Sequence, residues 1–308
     1  MMRIHAVMIC IALAVFLCSF DWPLENSVVT GTFGEYRQDH FHAGLDLVGS
    51  QSAVASTAVG AYADRAVHVR SGADGEIVFA HDEGVSYSSV PVGLGSYVTL
   101  QTRDRMRFLY CHLAKRSVRI EPFTVAARDV IGFAGDTGYS GGIHLHLGVY
   151  KQDTQAFLNP LEVFPALSDT RLPVVSGIFA QKKGEILSLS DGRMIAEGEY
   201  TVFVRTHDVR ENMHAWKYLP YEVSLDVNGT PAGKVVFDSI TSQAGEAVMG
   251  QDRKKLYELF RDGELYSGTV TFSPVRIMQG EVVLTARVKD FAGNQAEYSL
   301  KFSVRSTL

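Results

Sequence analysis

Cysteine is nearly absent from this 308-residue chain. Of three, Cys10 and Cys18 fall within the first twenty residues and Cys111 stands alone in the body. With no partner thiol a disulfide framework is excluded, and the fold must rest on its core. Proline is scarce at 9 residues against 28 glycines, and 46% of residues are hydrophobic against 20% charged, which excludes a disordered or collagen-like chain. A basic excess is missing too. The 29 Lys and Arg face 34 Asp and Glu, so no bulk electrostatic grip on nucleic acid is expected. One long apolar run exists, from Ala6 to Leu17, preceded by Arg3 and followed by Cys18-Ser19. It is too short for the about 20 residues of a spanning helix and reads as an export signal over residues 1–19. The expected location is the bacterial periplasm or cell envelope. Leu17-Cys18 could be a lipoprotein site with a lipid anchor on Cys18; cleavage after Ser19 and an uncleaved anchor are the alternatives.

The remaining chain divides into residues 20–168 and 169–308. In the first part, short apolar segments such as Glu76–Ala80, Ser96–Leu100 and Arg107–Tyr110 are separated by turn signals at Asp74-Gly75 and Gly93-Leu94-Gly95, the pattern of an antiparallel β structure. Asn159 to Pro165 reads as the close of that unit and Ser168 to Pro173 as a linker. The second part alternates at Tyr200–Arg205, Tyr221–Val227, Gly280–Val288 and Tyr298–Val304, and predicts an immunoglobulin-type β-sandwich with a mixed or helical insert near Gln251 to Arg261. The fold class is mainly β in both parts.

Histidine placement carries the chemistry. Three Gly-flanked or strand-like motifs precede residue 150: His40-Phe41-His42-Ala43-Gly44-Leu45-Asp46, Leu109-Tyr110-Cys111-His112-Leu113 and Gly141-Gly142-Ile143-His144-Leu145-His146-Leu147. A catalytic zinc site takes three N or O ligands and one open position. His42 and Asp46 can converge if Gly44 lets the chain bend. On a strand His144 and His146 share a face while Leu145 and Leu147 enter a core. By the same alternation Cys111 and His112 point apart, which puts the thiol in the core if His112 faces the pocket.

These motifs resemble the lysostaphin/LytM-type zinc endopeptidases that act on peptidoglycan. The pattern H-x-x-x-D appears as His42 to Asp46, and Tyr-x-His-Leu as Tyr110 to Leu113. Ile-Gly-x-x-Gly-x-Thr-Gly-x-Ser-x-x-x-His-x-His appears as Ile131 to His146. The resemblance runs from about Gly31 to Phe164. It implies the family's duplicated hybrid motif fold, one zinc ion held by His42, Asp46 and His146, catalytic roles for His112 and His144, and peptidoglycan peptides as substrate. Departures are Leu147-Gly148, where the family commonly has Phe-Glu, and a longer connection at 50–70. The first would loosen packing behind the His144–His146 strand and the second would reshape a groove wall.

Rival readings have specific answers. Gly138-Tyr139-Ser140-Gly141-Gly142 matches a nucleophile-elbow pattern, but a strand rather than a helix is expected after it. Asp136-Thr137-Gly138 lacks the second copy that a paired-aspartate site needs. No H-E-x-x-H occurs. His40 is expected at the surface or beside the site, and His68, His81, His207 and His214 belong to no motif. The alternative function is a silent or latent cell-wall binding protein that activates another hydrolase, with residues 50–70 or the second domain occluding the site.

Overall fold

Runs of β-branched and aromatic residues with period-two burial build this chain, as in Ser96–Gln101, where buried and half-buried residues strictly alternate. The computed structural model describes residues 20–37, 40–49, 67–85, 93–119, 121–190, 192–210, 217–260 and 268–306. The export segment 1–19, most of the long connection (residues 50–66) and His214 lie outside the described residues.

The first half contains β1 (Val28–Gly31), β2 (Leu45–Val48), β3 (His68–Arg70), β4 (Gly75–His81), β5 (Ser96–Gln101), β6 (Met106–Leu113), β7 (Thr124–Val125), β8 (Val130–Phe133), β9 (Leu145–Lys151) and β10 (Ala156–Leu158). A 3₁₀ turn at Pro160–Glu162 follows, capped by the Asn159 side chain accepting from Leu161 N. Strand β9 is central. One edge pairs antiparallel with β6, and the other is shared between β2 and β10. The sheet continues from β6 through β5 and β4 to β7. Leu45, Leu47, Val98, Leu100, Phe108, Tyr110, Leu145, Leu147 and Val149 are fully buried on its core face. Leu147 is fully buried, and a Cβ added at Gly148 would meet the Leu109 side chain at 3.5 Å, an ordinary contact distance.

The second half contains β11 (Val174–Lys182), β12 (Glu185–Ser188), β13 (Met194–Ala196), β14 (Gly198–His207), β15 (Glu222–Val227), β16 (Thr230–Val236), β17 (Ser239–Gln243), β18 (Glu246–Met249), β19 (Lys254–Lys255), helix α1 (Leu256–Leu259), β20 (Thr269–Ile277), β21 (Gly280–Lys289) and β22 (Gln295–Arg305). Two sheets, β12-β11-β14-β20 and β13-β22-β21-β15-β16, face each other. All their pairings are antiparallel except β13 with β22. Asp290–Asn294 makes the expected hairpin between the last two strands, with Asn294 N donating to Asp290 Oδ1 at 2.8 Å.

Residues 239–255 depart from the expected sandwich. Strand β17 pairs with β10 through Phe157↔Ile240 and Leu158↔Ser239, and β18 and β19 extend beyond it, so all three join the first sheet. The expected insert at 251–261 contracts to β19 and the four-residue α1. An open edge on β10 has backbone groups to satisfy, and this segment supplies the partner.

Candidate metal centre

Register brings the first two candidate ligands together. Asp46 on β2 lies directly opposite His146 on β9, so both side chains project from the same face. His42 arrives from the loop before β2, where His42 N donates to Glu35 O at 2.9 Å and His42 O accepts from Gly34 N at 2.8 Å. Its Nε2 lies 3.0 Å from Asp46 Oδ1 and 2.9 Å from His146 Nδ1, and His146 Nδ1 lies 3.1 Å from the same carboxylate oxygen. The chain bends at Gly44 as expected, with φ outside the left-handed region. Gly44 also supplies room: a Cβ there would sit 2.5 Å from Leu147 O and 2.8 Å from the His146 ring.

His112 is placed by a bulge that strand alternation does not anticipate. Between β5 and β6, Val98 faces Tyr110 and Ser96 faces Leu113, so β6 carries one extra residue there. His112 absorbs it with φ of 61°. Its N–H donates to Leu94 O at 3.0 Å, and its Nδ1 donates to Thr137 O at 2.8 Å. Thr137 Oγ1 accepts from Ser96 N and donates to Leu113 O, which holds this segment against β5 and β6. The bulge also corrects the expected position of Cys111. Cys111 lies opposite His146 in register and therefore on the site's face, fully buried, while Tyr110 turns into the core. Burial and the charge of Asp46 push its thiol pKa up, so it stays protonated.

His144 completes the group. Its Nε2 is 3.5 Å from Asp46 Oδ1, its Nδ1 donates to Gly142 O at 2.8 Å, and its ring centroid is 4.9 Å from that of His112. Burial would raise the Asp46 carboxyl, but the charge of His42 and hydrogen bonds from His144, His146 and His42 hold it well below the usual carboxylate range. Burial lowers His146 to about 4 despite its Asp46 hydrogen bond. Burial and then the charge of His144 lower His112, whereas at His144 the Asp46 hydrogen bond and charge overcome burial and raise it.

Among the described residues, His42, Asp46 and His146 are one of two groups whose ligand atoms lie close enough to share an ion; the other is Asp169, Asp208 and Asp290. The donor set fits a zinc-type cation: two imidazole nitrogens and one carboxylate oxygen. The His42 Nδ1 contact to Thr32 O at 2.8 Å requires a proton on Nδ1, so Nε2 is the nitrogen that His42 turns toward Asp46 and His146. Sequence motifs did not single out Arg37, Glu35 or Thr32. Arg37 Nη2 donates to Asp46 Oδ2 at 2.6 Å and to Glu35 Oε2 at 3.2 Å, and Glu35 Oε1 accepts from Thr32 N and Oγ1. These residues lie in a loop with no strand period, and only their contacts reveal them. His40 is exposed and lies outside the ligand group. Ser140 Oγ donates to Gly142 O at 2.7 Å, and the strand expected after the loop is β9.

Comparison with known proteins meets this geometry at the same residues: the model of Peptidase family M23 matches residues 40–160. These residues form a peptidase family M23 domain. A second family model, carrying no functional description, matches residues 172–305. A stretch of the chain is 45% identical over 56 residues to an uncharacterized metalloprotease of Buchnera aphidicola subsp. Baizongia pistaciae (strain Bp). That match spans 18% of this chain and only 15% of the relative. The catalytic domain of lysostaphin from Staphylococcus simulans aligns at 22% identity over 45% of this chain and 92% of that one, with a TM-score of 0.33. A zinc-containing peptidase from Vibrio cholerae aligns at 18% identity over 42% of this chain and 36% of that one, with a TM-score of 0.31.

Proposed function

We propose that this protein is an exported zinc endopeptidase that hydrolyses peptide bonds in bacterial peptidoglycan, in cross-links or stem peptides. The observation that carries the reading is the convergence of His42 Nε2, Asp46 Oδ1 and His146 Nδ1 within 3.1 Å of one another, beside His112 and His144. His42, Asp46 and His146 would hold the ion. When bound, zinc lowers the pKa of a coordinated water toward ~7 and polarises the scissile carbonyl.

The protein's own groups divide the remaining work. Thr32 O keeps the His42 ring in the tautomer that presents Nε2, and Asp46 stays ionised. His112 and His144 each anchor Nδ1 on a backbone carbonyl, Thr137 O and Gly142 O respectively, which leaves His112 Nε2 for substrate or water and turns His144 Nε2 toward Asp46 Oδ1 at 3.5 Å. Both rings are thereby preoriented for proton transfer and for hydrogen bonding to a developing oxyanion. Export rests on the apolar segment Ala6 to Leu17, and attachment at Cys18 belongs to the same proposal.

The test is to incubate the purified protein with isolated peptidoglycan, with and without a chelator, and to measure zinc content and released muropeptides. The expected result is about one zinc per chain and new amino termini whose appearance the chelator abolishes. Zinc without cleavage overturns the hydrolase reading and leaves the latent or activating protein.

A further inference from the structure

The two oxygens of Asp46 have separate tasks. Oδ1 faces His42, His144 and His146, while Oδ2 accepts from Arg37 Nη2 at 2.6 Å. Arg37 therefore fixes the rotation of the carboxylate and decides which oxygen is presented to an ion. Its guanidinium also approaches His42 Nδ1 at 3.2 Å, but that nitrogen already donates to Thr32 O, so the approach is a contact between donors. A cation this close to a metal ligand would weaken metal binding unless compensated. Glu35 supplies the compensating charge at 3.2 Å. Arg37, Glu35 and Asp46 together carry the same net charge as Asp46 alone.

Glu35 is in turn held from the second half of the chain. Its Oε1 accepts from Thr32 Oγ1 at 2.7 Å, and Thr32 Oγ1 accepts from Leu219 N at 3.1 Å. Tyr218 Oη donates to Val29 O at 3.0 Å on the strand leading into this loop. Around the loop the packing is aromatic. The Phe260 ring stacks on Tyr36 at 6.2 Å and lies 5.8 Å from Phe41, so it grips the chain on both sides of Arg37. At Gly34, where φ is 87°, an added Cβ would meet Phe237 at 2.8 Å and Met249 at 3.0 Å. The loop that carries Arg37 is moulded against residues 218–260.

We infer that Arg37 is a positioning residue for Asp46, and that residues 218–260 act as a structural part of the metal centre by holding Arg37 and Glu35 in place. The inference rests on the metal-centre reading above. It gives the second half of the chain a role in metal affinity that is separate from any binding to the cell wall.

The experiment measures zinc dissociation constants by competition with a chromophoric chelator for the full protein and for Arg37→Ala, Glu35→Gln, Phe260→Ala, Thr32→Val and Thr32→Ser. Thermal melts of the metal-free forms report folding independently. Arg37→Ala, Glu35→Gln and Phe260→Ala are expected to bind zinc ~10- to 100-fold more weakly while still melting cooperatively. If Phe260→Ala does not fold, Thr32→Val, which keeps the side-chain shape, takes its place with the same expectation. Thr32→Ser restores the hydroxyl and is expected to bind like the unmodified protein. Unchanged zinc affinity in folded Arg37→Ala, and in folded Phe260→Ala or its replacement Thr32→Val, would overturn the inference while leaving the metal centre standing. An unmodified protein that binds no zinc would overturn the metal-centre reading and this inference together.

Discussion

His146 and His112 sit 5.9 Å apart between ring centroids, yet their surroundings differ. His146 faces Asp46 and His42 with Nδ1, whereas His112 spends Nδ1 on Thr137 O and belongs to no ligand group. Replacing His146 by Ala is therefore expected to remove zinc and activity together. His112→Ala is expected to keep about one zinc and lose turnover by ~10²- to 10⁴-fold, read by metal analysis and muropeptide release on the same sample. Full zinc retention by His146→Ala would contradict the ligand assignment. Gly44→Ala provides a steric test at the same place. The added methyl must displace the Leu147 carbonyl or the His146 ring, a change expected to cost about 1–3 kcal/mol in urea unfolding and to weaken zinc binding.

At the level of elements, three connections meet at buried carboxylates. Asp169 comes from the linker, Asp208 from the end of β14 and Asp290 from the β21–β22 turn, and they are 9%, 4% and 1% exposed. Burial, then the charges of Asp290 and Asp169, raise Asp208 to about 7, with Arg210 opposing and Tyr218 pairing nearby through the backbone. Since the unfolded value is lower, the native state binds the extra proton between the two values. The resulting stabilisation is complete below about pH 4 and is lost as pH rises through about 7. Unfolding free energy is expected to fall by on the order of 2 kcal/mol from about pH 5 to about pH 8 through this group. Asp208→Asn should flatten that part of the profile in urea titrations. An identical slope in the variant would show that Asp208 does not titrate in this window.

For the whole molecule, the sheet decides cooperativity. Strand β17 adds to β10, Asn159 Nδ2 donates to Phe237 O at 2.8 Å, and Thr32 bonds to Leu219, so backbone pairing and buried hydrogen bonds cross from one half to the other. Opening either half alone would expose an unpaired sheet edge and the aromatic cluster of Phe41, Phe237 and Phe260. The residues on the two sides of that sheet are expected to unfold in one transition, coincident by far-ultraviolet circular dichroism and by tryptophan fluorescence. Zinc at about 100-fold over its dissociation constant is expected to add ~2.7 kcal/mol, and a chelator to remove it. Two well-separated transitions would show that the junction does not couple the halves.

Much of this arrangement is legible in the chain itself. Period-two alternation at Ser96–Leu100 and Arg107–Tyr110, with glycine turns between, determines β structure because side chains on a strand change face at every residue. His42, Asp46, His112, His144 and His146 stand in three local motifs, and it is the resemblance of those motifs to the lysostaphin/LytM-type endopeptidases that divides them into expected ligands and expected catalytic histidines. Tertiary structure decided the rest. The bulge at His112 and the face taken by Cys111 follow from how β6 registers against β5 and β9, which alternation along a single strand does not encode. Assignment of residues 239–255 to the first sheet required the open edge of β10. The Leu219–Thr32–Glu35–Arg37–Asp46 chain joins residues up to 187 positions apart, and such a contact leaves no local pattern because only packing brings its ends together.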